Sequence, residues 1–170
     1  GPTPFMGGFS GDGYVISNLK VNVFSDDNDD SIYSLGSAGL FSCIEDGWVM
    51  DLGLENVSVT FDSNDETESR EYCIGALAGY AGDYSYFEGC YSTGSVSSSS
   101  SGSAVGGLIG TAFNLEIYEC YSECDVSGTY AHGSPACEGY GGGLLGHVLD
   151  YSEVYDCYAT GDVTGTCGYN

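Results

Sequence analysis

The chain repeats itself. Residues 143–163, GLLGHVLDYSEVYDCYATGDV, are matched in order of residue type by residues 107–126, GLIGTAFNLEIYECYSECDV, and by residues 76–96, ALAGYAGDYSYFEGCYSTGSV. A looser copy, GLFSCIEDGWVMDLGLENVSV, occupies residues 39–59, and successive units open 37, 31 and 36 residues apart. In the three close copies Leu77, Leu108 and Leu144 coincide, as do Gly79, Gly110 and Gly146. Cys90, Cys120 and Cys157 also coincide, each followed by a tyrosine, and Val96, Val126 and Val163 close the units. The looser copy puts Leu40 in the leucine place, Gly53 in the cysteine place and Val59 at the close. A period of this length means that one supersecondary unit recurs and buries its apolar face against its neighbours.

The units consist of short apolar pairs between glycines and polar corners, and they lack the sustained three-and-four spacing of a helix. Coils of short strands stacked about 4.8 Å apart would set equal positions in ladders. The expectation is therefore an all-β solenoid with Leu40, Leu77, Leu108 and Leu144 in one inner ladder and Val59, Val96, Val126 and Val163 in another. Gly79, Gly110 and Gly146 are expected at a tight corner, where a positive φ or a close approach excludes a side chain. Tyr91, Tyr121 and Tyr158 line up as a stacked structural ladder or as a sugar-binding strip. The opening stretch, with its Gly11-Asp12-Gly13 turn and the apolar series Val15, Leu19, Val21 and Val23, also reads as short strands. Residues 1–170 then form one domain, with an opening coil at 1–24 and units at about 37–61, 73–96, 104–126 and 140–163. The copy at 107–126 is one residue shorter between its glycine and its cysteine, a difference that a turn absorbs.

Charge narrows the choice of partners. The net charge is −23, from 25 acidic residues against Lys20 and Arg70 alone, so neither nucleic acid nor an anionic membrane finds counter-charge. No apolar run approaches the ~20 residues that span a bilayer, and with 42 % hydrophobic residues the chain can bury a core. The Gly1-Pro2 start without Met suggests a processed chain, an excised segment or, more often for a Gly-Pro start, the scar of a cleaved tag. Eight cysteines, Cys43, Cys73, Cys90, Cys120, Cys124, Cys137, Cys157 and Cys167, read as disulfides formed in an oxidising compartment, with 105 connectivities open. Zinc is the rival, but no C-x-x-C pair exists. The sequon at Asn56 suits a secreted glycoprotein.

Polar excursions separate each closing valine from the next opening glycine, and they are expected to emerge on one side of the stack. The first, SDDNDDS at 25–31, sets Asp26, Asn28 and Asp30 at alternate positions where oxygens could wrap Ca²⁺, although an acidic run of this kind is usually a solvated loop. Others lie at 62–72, at 97–103 (SSSSSGS, a flexible stretch open to O-linked sugars) and at 128–139. Trp48, the single tryptophan, is expected as a core or corner filler.

The units GGLIG…CYSECDV and GGLLG…CYATGDV resemble GLUG repeats, and FMGGFSGDGYVISNL resembles the phenylalanine- and glycine-rich coil that precedes such repeats. The resemblance implies a right-handed parallel β-solenoid of the kind found in large bacterial surface adhesins, filamentous-haemagglutinin-like proteins and the non-catalytic part of IgA-specific metallopeptidases. Cysteine stands three times where those repeats carry a small residue, which points to a more oxidised extracellular setting. On that fold, with disulfide staples, a sequential pattern joins Cys43 to Cys73, Cys90 to Cys120, Cys124 to Cys137 and Cys157 to Cys167. It is one of many possibilities.

Catalysis is not expected. Solenoid lyases need lysine or arginine at the sugar, and only Lys20 and Arg70 exist. Asp125 and Asp162 share a ladder position but read as outward solvated residues rather than a glycosidase pair. His132 and His147 lie in no H-E-x-x-H motif, and His147, after the corner glycine, reads as structural. Thr93 and Thr160 would share an ice-binding column, but Glu123 interrupts it. The expected function is an extracellular or cell-surface scaffold, self-associating head to tail or stacked on neighbouring repeats of a longer chain. The alternative is an adhesin module that meets a glycan or host protein through its excursions. Neither needs a cofactor, with Ca²⁺ the one candidate.

Overall fold

The computed structural model describes residues 3–25, 36–63, 72–100, 102–129 and 139–166, and among them every strand pairing is parallel. No helix among these residues is long and apolar enough to cross a membrane. The opening coil holds β1 (Gly8–Ser10), β2 (Val15–Ser17) and β3 (Lys20–Ser25). The first repeat coil holds β4 (Ser37–Ala38), β5 (Phe41–Glu45), β6 (Trp48–Met50) and β7 (Gly53–Ser63). The second holds β8 (Tyr72–Gly75), β9 (Ala78–Gly82), β10 (Tyr86–Glu88) and β11 (Tyr91–Ser98). The third holds β12 (Ser103–Gly106), β13 (Ile109–Ala112), β14 (Glu116–Tyr118) and β15 (Tyr121–Thr129). The fourth holds β16 (Tyr140–Gly142), β17 (Leu145–Val148), β18 (Glu153–Tyr155), β19 (Tyr158–Ala159) and β20 (Val163–Thr166).

Each repeat coil thus contributes to four sheets in turn, the opening coil to the last two of them: β4-β8-β12-β16, β5-β9-β13-β17, β1-β6-β10-β14-β18, and a fourth running from β2 and β3 through β7, β11 and β15 to β19 and β20. This is the parallel β-solenoid that the repeat demanded. The valine ladder is in register, Val21 beside Val59, Val96, Val126 and Val163. Leu77 N–H donates to the Leu108 carbonyl, and Leu108 N–H to that of Leu144, at 2.9 Å each, so the leucine ladder holds too. A third inner column sets Phe9, Val49, Phe87, Ile117 and Val154 side by side. Leu77, Leu108, Phe87, Ile117, Val59 and Val96 are fully buried, and each such side chain contributes roughly 1.5–3 kcal/mol by leaving water.

The glycine-leucine-x-glycine core makes a bend rather than a loop. Gly79, Gly110 and Gly146 sit inside β9, β13 and β17, not at the corner the sequence suggested, and their φ values are not positive. Close approach is the reason for glycine: a Cβ on Gly146 would meet the Gly110 carbonyl oxygen at 2.6 Å and the Val105 backbone at 2.8 Å. On the other side of the bend, a Cβ on Gly106 or Gly142 would strike the carbonyl of Ile109 or Leu145. Two sheets therefore pass backbone against backbone around a buried leucine. Ser92 Oγ closes the bend by donating to the Gly107 carbonyl at 2.8 Å and by bonding Ser122 Oγ at 3.1 Å, both serines being fully buried.

The corner between the third and fourth sheets uses another device. Asp51, Gly89, Glu119 and Asp156 succeed one another there, all with positive φ, from 49° to 61°. The next residue in each coil points inward and the one after it outward. In three coils those residues are the cysteine and tyrosine of the repeat. In the first coil the alignment by residue count fails: Gly53 pairs with Tyr91, so the cysteine place belongs to buried Leu52. The offset arises from a bulge in β7, where the register shifts between Ser92 and Gly94 and Asn56 takes φ 53°.

Candidate functional site

Stacking leaves three outward surfaces with chemistry. On the fourth sheet the rings of Tyr91, Tyr121 and Tyr158 lie parallel, with centroids 4.9 Å apart and planes within 2°. Tyr91 also covers Gly53, whose Cβ would lie 2.5 Å from its ring, and donates its hydroxyl to Glu55 Oε1 at 2.9 Å. These contacts make the ladder structural along most of its length.

The third sheet carries an aromatic and acidic outer face. Trp48, Tyr86, Glu116 and Glu153 form one column, and Met50, Glu88, Tyr118 and Tyr155 the next. Hydroxyls donate to carboxylates two residues away: Tyr86 to Glu88 at 2.6 Å, Tyr118 to Glu116 at 3.3 Å and Tyr155 to Glu153 at 2.8 Å. The Glu88 bond, foremost, pushes the Tyr86 phenol up to about 12, and the Glu153 bond raises Tyr155. Trp48 belongs to this face. It is 41 % exposed and lies over Gly8, so it is neither core nor corner filler.

Where the second sheet turns into the third, a groove of about 310 Å³ is lined by Tyr84, Ser85, Tyr86, Asn114, Leu115, Glu116, Tyr151 and Glu153. Turn lengths alternate along this corner. From Ile44 to Trp48 and from Ala112 to Glu116 the chain advances four residues; from Ala81 to Tyr86 and from Val148 to Glu153 it advances five. The longer turns of the second and fourth coils each place a tyrosine, Tyr84 or Tyr151, beside the groove. The shorter turn of the third coil places Asn114 and Leu115 there. The residue missing from the copy at 107–126 is the one that this shorter turn lacks.

The cysteine ladder forms, and among the described residues no disulfide staples it. Cys43, Cys73, Cys90, Cys120, Cys124 and Cys157 are all thiols; Cys137 and Cys167 lie outside the described residues. Cys90 N–H donates to Cys120 Sγ at 3.3 Å, and Cys120 N–H to Cys157 Sγ at 3.4 Å. Residues in equal register keep their Cβ atoms about 4.8 Å apart on parallel vectors, wider than the 3.5–4.5 Å a disulfide takes. Cys43 pairs in register with Tyr80, whereas Cys73 lies in another sheet beside Ser37 and Ala104. The hydrogen bond with Cys90, followed by burial, raises the Cys120 thiol; burial foremost raises Cys124 and Cys157.

Asn56 is exposed, and its side-chain amide donates to Asn18 Oδ1 at 2.7 Å. Asp26, Asn28, Asp30 and His132 lie outside the described residues. Asp125 and Asp162 are exposed neighbours, the Asp162 N–H donating to Asp125 Oδ1 at 3.2 Å. Thr93 stands beside Glu123, which breaks the threonine column as expected. His147 stacks on Tyr140 with centroids 3.7 Å apart.

The ends of the solenoid differ from its middle. Val163 is 48 % exposed although Val126, its neighbour in the ladder, is 1 % exposed. Leu144, Leu145 and Cys157 are half-buried where Leu108, Ile109 and Cys120 are fully enclosed.

Residues 138–164 match the model of the GLUG motif. In three dimensions the chain is similar to a crystal structure from Bacteroides ovatus, provisionally named an immunoglobulin A1 protease, with a TM-score of 0.55. The sequences are 22 % identical, and the match covers 92 % of this chain and 51 % of that one, a likeness of fold. No curated protein matches the chain. The molecule is accordingly a parallel β-solenoid carrying the GLUG motif in its last described coil.

Proposed function

We propose that the chain is an extracellular structural and adhesive scaffold without catalytic activity, which extends by adding coils at its ends. The added coil is a second copy placed head to tail or a neighbouring repeat of a longer chain. The observation that carries this reading is the exposure of Val163, with half-buried Leu144 and Leu145, at positions that the second and third coils enclose. Such an end presents both apolar surface and unpaired strand edges, which natural solenoids cover with a cap or another repeat. A heterologous end-to-end contact of this kind propagates into a fibre. The charge of −23 supports the same geometry, because side-to-side contact is repulsive and the apolar ends are the favoured meeting place.

Electron microscopy and sedimentation of the purified chain test the proposal. Fibres with an axial repeat on the order of 24 Å, five coils at about 4.8 Å, are expected, and Val163→Glu combined with Leu145→Glu should disperse them. Single particles unaffected by those substitutions would remove the head-to-tail reading. A calcium chelator in the same experiment reveals whether the acidic excursions bundle the fibres.

A second reading, a ligand-binding module, draws on topology. The chain leaves the fourth sheet and enters the first four times, from β3 to β4, β7 to β8, β11 to β12 and β15 to β16, so all the excursions start from one edge. Glycan or protein capture that disappears when residues 130–138 are replaced by a short glycine-serine linker would favour this reading.

A further inference from the structure

We infer that the corner groove between Tyr84 and Tyr151 is a binding site for a neutral saccharide. Both tyrosines adopt the left-handed backbone region, with φ 67° and 60°, which bulky side chains adopt rarely. The turn does not require them. Asn114 fills the equivalent turn of the intervening coil at φ 51°, and Asp12 and Asp46 serve other turns at φ 49° and 48°. At Tyr84 and Tyr151 the chain instead places a ring that is 80 % and 85 % exposed, respectively. Strained residues that gain nothing in burial collect at ligand clamps.

The groove's dimensions follow from the coil alternation. The two tyrosine turns are two coils apart, about 9.6 Å at the parallel strand spacing. The shorter turn between them leaves a slot with Asn114 and Leu115 at its base and a volume of about 310 Å³, at the small end for ligand sites and suited to one or two sugar rings. Flat aromatic faces meet the C–H faces of a pyranose, and its hydroxyl edge needs fixed acceptors and donors. Glu116 and Glu153 line the groove already oriented, each with Oε2 held by a tyrosine hydroxyl, and the Asn114 amide adds both donor and acceptor capacity. Two carboxylates in the groove and a net charge of −23 exclude uronic and sialic acids. This inference rests on neither end-to-end stacking nor the excursions, which leave the coil between the fourth and first sheets.

The test is calorimetric titration of the intact chain with neutral oligosaccharides of glucose, galactose, mannose and N-acetylglucosamine, and with oligogalacturonate. At least one neutral class should bind, and oligogalacturonate should not. Tyr84→Asn and Tyr151→Asn, both compatible with the turn, should each weaken binding about tenfold through loss of one ring face, and together should abolish it. Tyr158→Ser, outside the groove, should leave it unchanged. In the unsubstituted chain, amide shifts on adding the bound saccharide should centre on Tyr84, Asn114 and Tyr151, a readout independent of how the variants fold. Failure of every neutral class to bind, equal binding of oligogalacturonate, or shifts centred elsewhere would each overturn the assignment.

Discussion

The Tyr121 ring lies between those of Tyr91 and Tyr158, with its plane 1° from that of Tyr91. A coil repeat of about 4.8 Å dictates this: identical residues in register can only stack. Each aromatic pair is worth about 0.5–1.5 kcal/mol beyond the area it buries. Tyr121→Ser removes two pairs at once and should destabilise the fold by about 1–3 kcal/mol in urea unfolding. Tyr14, exposed in the opening coil, is the control; Tyr14→Ser should change stability by less than about 0.5 kcal/mol.

Leu108 and Leu144 occupy one ladder but different depths. Leu108→Ala leaves a cavity in an enclosed coil and should cost about 2–5 kcal/mol. Leu144→Ala, made in the half-buried last coil, should cost distinctly less in the isolated chain. If coils add at that end, the difference should shrink as protein concentration rises, because the added coil encloses Leu144. Denaturant midpoints measured across a concentration series report both effects.

Gly110→Ala tests why the repeat needs its glycines. The added methyl would meet the Gly79 carbonyl oxygen at 2.6 Å and the Cys73 backbone at 2.8 Å, and backbone cannot yield without parting two sheets. Destabilisation of about 1–3 kcal/mol or more is expected, seen as a lower melting temperature. Tolerance of alanine there would mean that the sheets are farther apart than these distances require.

The inner ladders were legible because parallel stacking turns a sequence period into a spatial column. Leu77 and Leu108 align by counting, as do Val96 and Val126. Counting failed in the first unit, where the bulge at Asn56 adds a residue to β7 and moves the cysteine place from Gly53 to Leu52. It failed again for Trp48, whose hydrophobicity says core while its strand phase says outside: Val49, one residue on, is the inward neighbour. The cysteine count suggested cross-links, but register alone sets Cys90 and Cys120 on parallel vectors. The groove was hidden for a related reason. Its walls depend on a turn being one residue longer in alternate coils, and a composition of aspartate, tyrosine and asparagine at a turn does not reveal which side chains will flank a gap two coils wide.

Alkaline pH should weaken the fold, and the sign follows from which state holds its protons. Burial, then the Glu45 carboxylate, pushes the Cys43 thiol from 9.0 to about 11. Burial, then Asp83, takes Tyr80 from 10.0 to about 12, and the hydrogen bond to Glu88 takes Tyr86 to about 12. Unfolded, these groups lose their protons at ordinary values; folded, they keep them. Between pH 9 and 12 the native state therefore binds more protons than the unfolded one, and stability declines as pH rises through that window. Urea midpoints should be level below pH 9 and fall steadily above it. The same shift protects Cys43 from alkylation: thiolate is the reactive form, so at about pH 8 its fraction is about 100-fold below that of an ordinary thiol. Iodoacetamide should modify Cys43 correspondingly slowly in the folded chain and at the ordinary rate in urea. Equal rates in both states would show that neither burial nor Glu45 acts on the thiol.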